Sequence, residues 1–260
     1  MGVGTKLITM KSAEDFAKME VAGRCVAAAH DAVRRSIAPG TSMIELDEIA
    51  AEVLRDHGCR ASFLGYHGYP ATICASPNSV IVHGIPNDYR LRKGDIISID
   101  VGAIYEGWHA DAAFTAPVGD VDDDVATLLA VTEEALWNGI AKAKAGKRLG
   151  DIGHAIEATA APHGYGVVRE YVGHGIGRQM HEAPNVPNYG RPGKGLRLKA
   201  GMALALEPMF NLGTHETAVL DDGWTVVTAD GSWSAHFEHT VLLTEAGSVV
   251  STLPEPVRVD

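Results

Sequence analysis

Asp100 and Asp111 lie eleven positions apart, in a stretch that reads IISIDVGAIYEGWHAD over residues 96–111. Residues 96–104 form an apolar, β-branched run of the kind that makes a buried strand. The run breaks at Tyr105, Glu106 and Gly107 and resumes through Trp108. On one straight strand of period two, this odd separation sends the two carboxylates to opposite faces. A hairpin about a tight turn near Tyr105 and Glu106 instead sets them almost opposite each other, with Cβ atoms roughly 4.5–5.5 Å apart. Two carboxylates that close between apolar strands repel or share a proton. A cation between them removes the conflict, so these residues predict a metal site.

Three further candidates lie downstream. His174 sits in Tyr171-Val-Gly-His-Gly-Ile-Gly177, at the end of an apolar strand, where flanking glycines let backbone approach and leave the imidazole accessible. Glu207 ends Met202-Ala-Leu-Ala-Leu-Glu-Pro208, and Glu238 lies in His236-Phe-Glu-His-Thr-Val-Leu-Leu243. A lone buried Glu is most often paired with Arg or Lys. Here no Lys or Arg lies inside the four strand-like segments that carry the carboxylates, so nothing local neutralises them.

The elements that must position these residues come in two similar sets. Ser12 can cap a helix carrying Phe16, Met19, Val26, Ala29, Val33 and Ile37, which Pro39 and Gly40 end. Ser42 with Glu45 makes a capping box for a second helix, carrying Leu46, Ile49, Val53 and Leu54 and ending at His57 and Gly58. After the aspartate hairpin the pattern begins again. Asp122 to Asp124 can cap a helix bearing Val125, Leu128, Leu129, Leu136 and Ile140 that Gly146 ends, and Asp151 starts another that finishes at His163 and Gly164. Strand-like segments follow at residues 166–172, 202–207, 224–228 and 235–243. A shift of 106 positions carries Gly40 onto Gly146, Glu45 onto Asp151, His57 onto His163 and Gly58 onto Gly164, and brings Asp100 within one residue of Glu207. This internal repeat predicts two αα-then-ββ halves, about residues 12–118 and 119–250, packed about a pseudo-two-fold axis. No Pro-, Gly- or Ser-rich linker separates them, so a single catalytic domain over residues 1–260 is expected.

Composition narrows the function classes. The chain is 46% hydrophobic and 21% charged, with a net charge of −11, which argues against a general binder of nucleic acid or anionic membrane. No apolar run approaches the roughly 20 residues that span a bilayer. Lys6, Lys11, Glu14 and Asp15 interrupt any signal-peptide core, and Lys6 stands where a myristoylation signal beginning at Met1-Gly2 wants Ser or Thr. Three cysteines, Cys25, Cys59 and Cys74, have no zinc spacing and fit free thiols in a reducing cytoplasm.

The ordered set Asp100, Asp111, His174, Glu207 and Glu238 resembles the dinuclear-metal site of the type I methionine aminopeptidases. The resemblance runs through Lys18-Met-Glu-Val-Ala-Gly-Arg24, Leu64-Gly-Tyr-His-Gly-Tyr-Pro70, Val82-His-Gly-Ile-Pro86, Gly94-Asp-Ile-Ile-Ser-Ile-Asp-Val101, Gly173-His-Gly-Ile-Gly177, His181-Glu-Ala-Pro184, Glu207-Pro-Met209 and Phe237-Glu-His-Thr240. It covers nearly the whole chain. It implies an α+β "pita-bread" (creatinase/aminopeptidase-like) fold, an antiparallel sheet flanked by helices with internal pseudo-symmetry, in the short bacterial form. The short form is expected to carry neither a Cys/His zinc-binding extension at the N-terminus nor the insertion of the type II enzymes, and neither is read in this sequence.

By the same resemblance, Asp100 chelates one metal, His174 and Glu207 hold the other, and Asp111 and Glu238 bridge the pair. One imidazole and four carboxylates suit Mn²⁺, Fe²⁺ or Co²⁺, with Zn²⁺ also accommodated. Two such ions roughly 3.5–4 Å apart share a water and aim it at a peptide carbonyl, with Glu207 as proton acceptor and shuttle. His83 contacts the scissile amide nitrogen, and His181 hydrogen-bonds the carbonyl oxygen. An apolar slot for the methionine side chain is lined by Phe63, Tyr66, His67, Tyr69, Cys74, Met180 and Trp224. A closed far side restricts the next residue to small types, which makes the chain's own Met1-Gly2 start a substrate.

Three positions depart from the family pattern. Gly102 stands where many relatives have Thr, which predicts a looser surround for Asp100. Phe63 stands at a position that is Cys in some members, and Met180 at one that is often Phe. The implied partners are N-terminal Met peptides and nascent chains near the ribosome, met by a monomer with no DNA or membrane role. Residues 211–232 are acidic, through Glu216, Asp221, Asp222 and Asp230, and Arg191, Lys194, Arg197 and Lys199 form an alternative contact. A proline-specific relative of the same fold carries a long extra N-terminal domain. A catalytically dead, peptide-binding relative loses metal ligands, and this chain keeps all five.

Overall fold

The computed structural model describes residues 8–259, so Met1, Gly2 and Lys6 lie outside the described residues. Helix α1 runs Ala13–Ser36 and α2 Met43–Asp56. Ser12 caps α1 and Ser42 with Glu45 boxes α2 as expected, and Asp15 makes a box of the first cap as well: the Asp15 N–H donates to Ser12 Oγ at 3.2 Å, and the Glu45 N–H to Ser42 Oγ at 3.2 Å. The carboxylates reach back to the Ser12 and Ser42 N–H groups at 2.9 and 2.6 Å, satisfying helix-terminal donors from both sides. Helices α3, Asp123–Ile140, and α4, Leu149–Ala160, follow in the second half.

Three of these boundaries differ from expectation: α4 ends at Ala160, with a tighter turn carrying the chain on to His163, and two others have a local cause. Helix α3 ends at Ile140 rather than at Gly146, because the chain tightens there: Lys142 and Ala143 N–H bond the carbonyls of Gly139 and Ile140, three residues back. Helix α4 starts two residues before Asp151. Arg148 is its N-cap, and Asp151 is the third helical residue, whose carboxylate accepts the Arg148 N–H at 2.8 Å. Glu45 holds the same position in α2. The two halves share their loop bonds as well. Gly40 and Gly146 both have φ above +90° and donate to Leu91 O at 2.7 Å and Leu198 O at 2.9 Å; Leu91 and Leu198 return bonds to Thr41 O and Lys147 O.

All strand pairs among the described residues are antiparallel. The first-half sheet centres on Ile96–Tyr105, flanked by Ile73–Pro77 and Trp108–Pro117. Ile96, Ile97, Ile99 and Val101 are all fully buried, so this strand is covered on both faces and its apolar run is continuous rather than alternating. In the second half six strands run in the order Val257–Val259, Gly247–Val250, His239–Thr244, Ala203–Leu206, Gly173–Gly175 and Glu182–Val186. All four helices contribute to one large core against these sheets.

Several strands are shorter than the sequence suggested. Of residues 166–172 only Gly166–Val167 pairs, and of residues 224–228 only Val226–Thr228. Residues 235–243 split into Ser234–His236 and His239–Thr244. The split has a cause. Leu206 pairs with His239 and Met209 with His236 in one continuous register. At the intervening step Pro208 has no N–H to donate, and Glu238 turns aside to exchange backbone bonds with Ala113, at 2.8 and 3.3 Å. His174 sits inside its own short strand rather than at a strand end, paired with Ala205 on one side and Asn185 on the other.

The hairpin turns at Glu106 and Gly107, with φ of 47° and 81°, one residue later than expected. Both residues are left-handed, as a two-residue hairpin turn requires. A Gly107→Val chain should lose roughly 1–2 kcal/mol, the cost of forcing a β-branched residue into that region. Urea unfolding of the purified chain measures this, and an unchanged midpoint would refute the turn geometry.

Candidate metal centre

The later turn sets the register: Asp111 faces Gly102, and Asp100 faces Ala113. The two aspartates are therefore diagonal neighbours on one face rather than direct partners, still within side-chain reach. The Ala113–Glu238 bridge brings Glu238 to the same place. Glu207 and Glu238 occupy the interrupted step of the Leu206–His239 ladder, opposite each other. One ligand atom each from Asp111, His174 and Glu238 falls within 4.8 Å of the others, and all three residues are buried. His174 Nε2 lies 3.8 Å from Glu207 Oε1.

The surroundings favour a cation. Asp100 Oδ1, Asp111 Oδ1 and Glu238 Oε1 are buried without a hydrogen-bond partner, an arrangement that costs free energy unless something positive fills it. Among the described residues, the side chains in ion-pair range of these carboxylates are imidazoles, His174 and His236. His174 Nδ1 bonds Gly175 O at 2.9 Å, which fixes the ring and turns Nε2 inward, as a metal-ligating histidine requires. Without an ion the carboxyl groups resist ionisation. Burial pushes Asp100 up to about 7, and burial with the Asp100 charge pushes Glu207 up to about 8. Asp111 and Glu238 are raised well above the usual range by burial and by the other carboxylates. Burial, then the neighbouring His181, brings His174 down to about 3, so the imidazole is neutral and its lone pair is open to a metal.

A cavity of about 110 Å³ opens over this cluster. Phe63, Tyr66, Tyr69, Cys74, Met180 and Trp224 wall it, and His83 and His181 also face it. His67 does not. It is an exposed residue of a short left-handed turn, and its ring packs on Tyr66 at 4.4 Å. Tyr69 anchors the wall through its hydroxyl, 3.0 Å from Ile73 O and 2.9 Å from Gly84 O, and its ring meets Trp224 edge-on at 5.1 Å. The Tyr66 hydroxyl bonds His181 Nδ1 at 2.9 Å, and the His181 ring lies 4.2 Å from that of His174. His83 holds a left-handed φ of 59°; burial, then His181, brings it down to about 4.

Three residues at the site were not singled out from the sequence. His236 is buried, with Nε2 unpartnered and 4.0 and 3.8 Å from Glu207 and Glu238 oxygens; lying two residues before Glu238 in a strand-like run, it shares its face. Thr240 brackets the Asp111 backbone, accepting its N–H at 2.9 Å and donating to its carbonyl at 2.8 Å. Asp47 of α2 accepts the N–H groups of Thr72 and Ile73, both at 2.9 Å, fixing the strand that sets Cys74 opposite Asp100. Gly102 does not loosen the surround of Asp100. A Cβ there would lie 2.6 Å from Ser62 Cβ and 3.0 Å from Phe63 Cε1, so those side chains already fill the space.

Comparison with known proteins accords with this geometry. Residues 17–245 match Metallopeptidase family M24. The chain is 52% identical over 257 residues to the "Methionine aminopeptidase 1" of Mycobacterium tuberculosis, covering 96% of this chain and 97% of that relative. The chain belongs to the type I methionine aminopeptidases of family M24. As a member of that family it is a metal-dependent aminopeptidase, a hydrolase, and it has the pita-bread fold. The crystal structure of the Thermotoga maritima methionine aminopeptidase superposes with a TM-score of 0.93 at 44% identity, covering 95% of this chain and all of that one. The Pyrococcus furiosus prolidase shares the fold, with a TM-score of 0.76 at 23% identity, and this chain covers 66% of it. Among the described residues no helix is long and apolar enough to cross a membrane.

Two outcomes follow. Gly102→Ala should destabilise this methionine aminopeptidase by roughly 1–3 kcal/mol, as overpacking does; calorimetry that finds the variant as stable as the parent would refute the packing. The metal-free protein should also lose stability as pH rises. Carboxyl groups raised in the fold favour it when protonated, and that contribution fades as pH climbs through about 7 and 8. Melting of chelator-treated protein between pH 7 and 9, where the buried histidines are neutral both folded and unfolded, should show a falling Tm, flattened by added Mn²⁺; a rising Tm in that window would contradict the shared burial of the carboxylates.

Proposed function

We propose that this chain removes the initiator methionine from proteins and peptides whose second residue is small. The observation that carries the reading is the convergence of unpartnered, buried carboxylate oxygens on an aromatic-walled cavity. Asp100, Asp111, His174, Glu207 and Glu238 would hold two divalent ions, with Mn²⁺, Fe²⁺, Co²⁺ and Zn²⁺ all compatible with so oxygen-rich a set. When bound, such ions polarise the peptide carbonyl, lower the pKa of water and anchor the substrate's amino group.

The chain's own residues do the rest. The apolar wall takes the unbranched thioether, which has the flexibility to fill an irregular slot. Tyr66 orients His181 through Nδ1, directing the opposite edge of the imidazole toward the carbonyl oxygen as it gains charge. Burial keeps His83 neutral at pH 7, so its imidazole can share a hydrogen with the scissile nitrogen. Glu207 takes the proton of the attacking water on its carboxylate and passes it to the departing amine. The size of the cavity, about 110 Å³, suits one side chain.

Residues 1–260 would form one catalytic domain of two halves, supported by the matched caps and loop bonds of α2 and α4. The proposed compartment is the cytoplasm, in keeping with three free, buried cysteines, and the proposed state is a monomer. A transient contact with the ribosome would fall to Arg191, Lys194, Arg197 and Lys199, since residues 211–232 carry the acidic side chains.

The test is release of methionine from Met-Gly-Met-Met. Chelation should abolish it, and one of Mn²⁺, Fe²⁺, Co²⁺ or Zn²⁺ should restore it. Asp111→Ala should bind less metal and release none, and Met-Leu peptides should be poor substrates. No release with any ion, from folded protein that binds metal, would overturn the assignment.

A further inference from the structure

His181 and Met180 belong to residues 177–182, which link the strands Gly173–Gly175 and Glu182–Val186. The entry to this loop is tied to the sheet: His109 N–H donates to Gly177 O at 2.8 Å, and Ile176 N–H to Ala203 O at 3.1 Å. Its exit rests on one carboxylate. Glu182 Oε1 accepts the Gln179 N–H at 3.2 Å, closing the loop on itself. Oε2 accepts Lys11 Nζ at 2.8 Å and the Thr9 hydroxyl. Lys11 Nζ also donates to Thr9 Oγ1 at 2.7 Å and Thr9 O at 3.2 Å, so its three hydrogens are all used.

This ion pair is buried, with side chains 1% and 7% exposed, and neither partner lines the cavity. The Lys11 N–H is fixed in turn to Gly201 O at 2.7 Å, beside the strand that leads into Glu207. Loop and pair are in direct contact, since a Cβ on Gly177 would lie 2.6 Å from Lys11 Cε and 2.7 Å from Glu182 Oε1.

We propose that Lys11 is a positioning residue for the active-site loop: its ammonium holds Glu182 against the Gln179 N–H and so fixes His181 and Met180 over the cavity. The role rests on the functions proposed above for those two residues. Remove the cation, and Glu182 is a buried charge without a counterion, left with only neutral donors in Thr9 and Gln179, which is costly enough to pull the carboxylate toward water. The loop would go with it. Neutralising Glu182 as well removes that pull, so the two changes cannot be additive.

The experiment compares the full chain with its Lys11→Met, Glu182→Gln and double variants. Three quantities are read: kcat and KM on Met-Gly-Met-Met, Mn²⁺ affinity by calorimetry, and amide hydrogen exchange of residues 177–182. Lys11→Met should lower kcat/KM by about tenfold or more and speed exchange in the loop, while Mn²⁺ affinity stays within about twofold, because the proposed ligands lie on other segments. The double variant should regain much of both losses. An unchanged loop and rate in folded Lys11→Met, a double variant no better than the single, or Mn²⁺ affinity falling in step with activity would each overturn the proposal. The exchange arm judges the grip on the loop without reference to turnover, so an inactive parent would sink the aminopeptidase reading while leaving this one to stand or fall by itself.

Discussion

Everything near the cavity answers to one constraint, the mutual repulsion of four carboxylates gathered where water is scarce. Among the described residues, Asp100, Asp111, Glu207 and Glu238 have no Lys or Arg in ion-pair range, and each is pushed toward its neutral form. A fold that keeps such a cluster must hold it by force from elsewhere. Here the force is backbone hydrogen bonding. Asp111 is pinned through Thr240 and Glu238 through Ala113. Glu207 is pinned through its carbonyl, which accepts the Asn188 side chain at 2.9 Å. None of these bonds uses a carboxylate oxygen. The chain supplies rigidity and leaves the acceptors open, which is what a cation site needs and a structural ion pair does not.

The two halves share this work unequally. The first half contributes an unbroken ten-pair hairpin, and its two aspartates are diagonal neighbours because the turn falls at Glu106 and Gly107. The second half contributes a ladder broken at the corresponding step. Pro208 cannot donate, Glu238 reaches across to Ala113, and the break becomes the seam where the halves meet. The matched bonds at Gly40 and Gly146 hold the helix pairs to equivalent loops, so both sheets arrive at the seam from similarly braced positions.

Much of this was legible in the sequence, and the exceptions have physical reasons. Caps and capping boxes are local, so Ser12 as a cap and Ser42 with Glu45 as a box announced α1 and α2 directly. The four carboxylate candidates were legible because charged residues inside apolar strand-like runs without local counterions are costly and therefore informative, and His174 was marked by its flanking glycines. Boundaries set by distant partners were not. The split at Glu238 depends on bonds to Ala113 that no local window contains. The diagonal register of Asp100 and Asp111 turned on a single residue of turn placement. His236 shares the alternation of Glu238 and could have been found by it, whereas Asp47 acts from a helix on a strand and leaves no signal in spacing.

Gly102 shows why a residue missing from a pattern is a poor guide to a missing function. Its backbone lies in a regular strand opposite Asp111, so glycine's conformational freedom is not what the position uses. What it uses is volume: Ser62 and the Phe63 ring occupy the place a side chain would take, and the Ser62 hydroxyl bonds His109 at 2.9 Å. Phe63 also meets the Tyr69 ring edge-on at 6.4 Å, which in turn packs on Trp224. The absent side chain beside Asp100 and the bulk of Phe63 are thus two halves of one packing solution, and the surface they make is the cavity wall. That wall excludes water from the carboxylates, which raises the cost of leaving them without a cation, and it also shapes the slot. In this fold the apolar pocket and the appetite for metal are set by the same side chains.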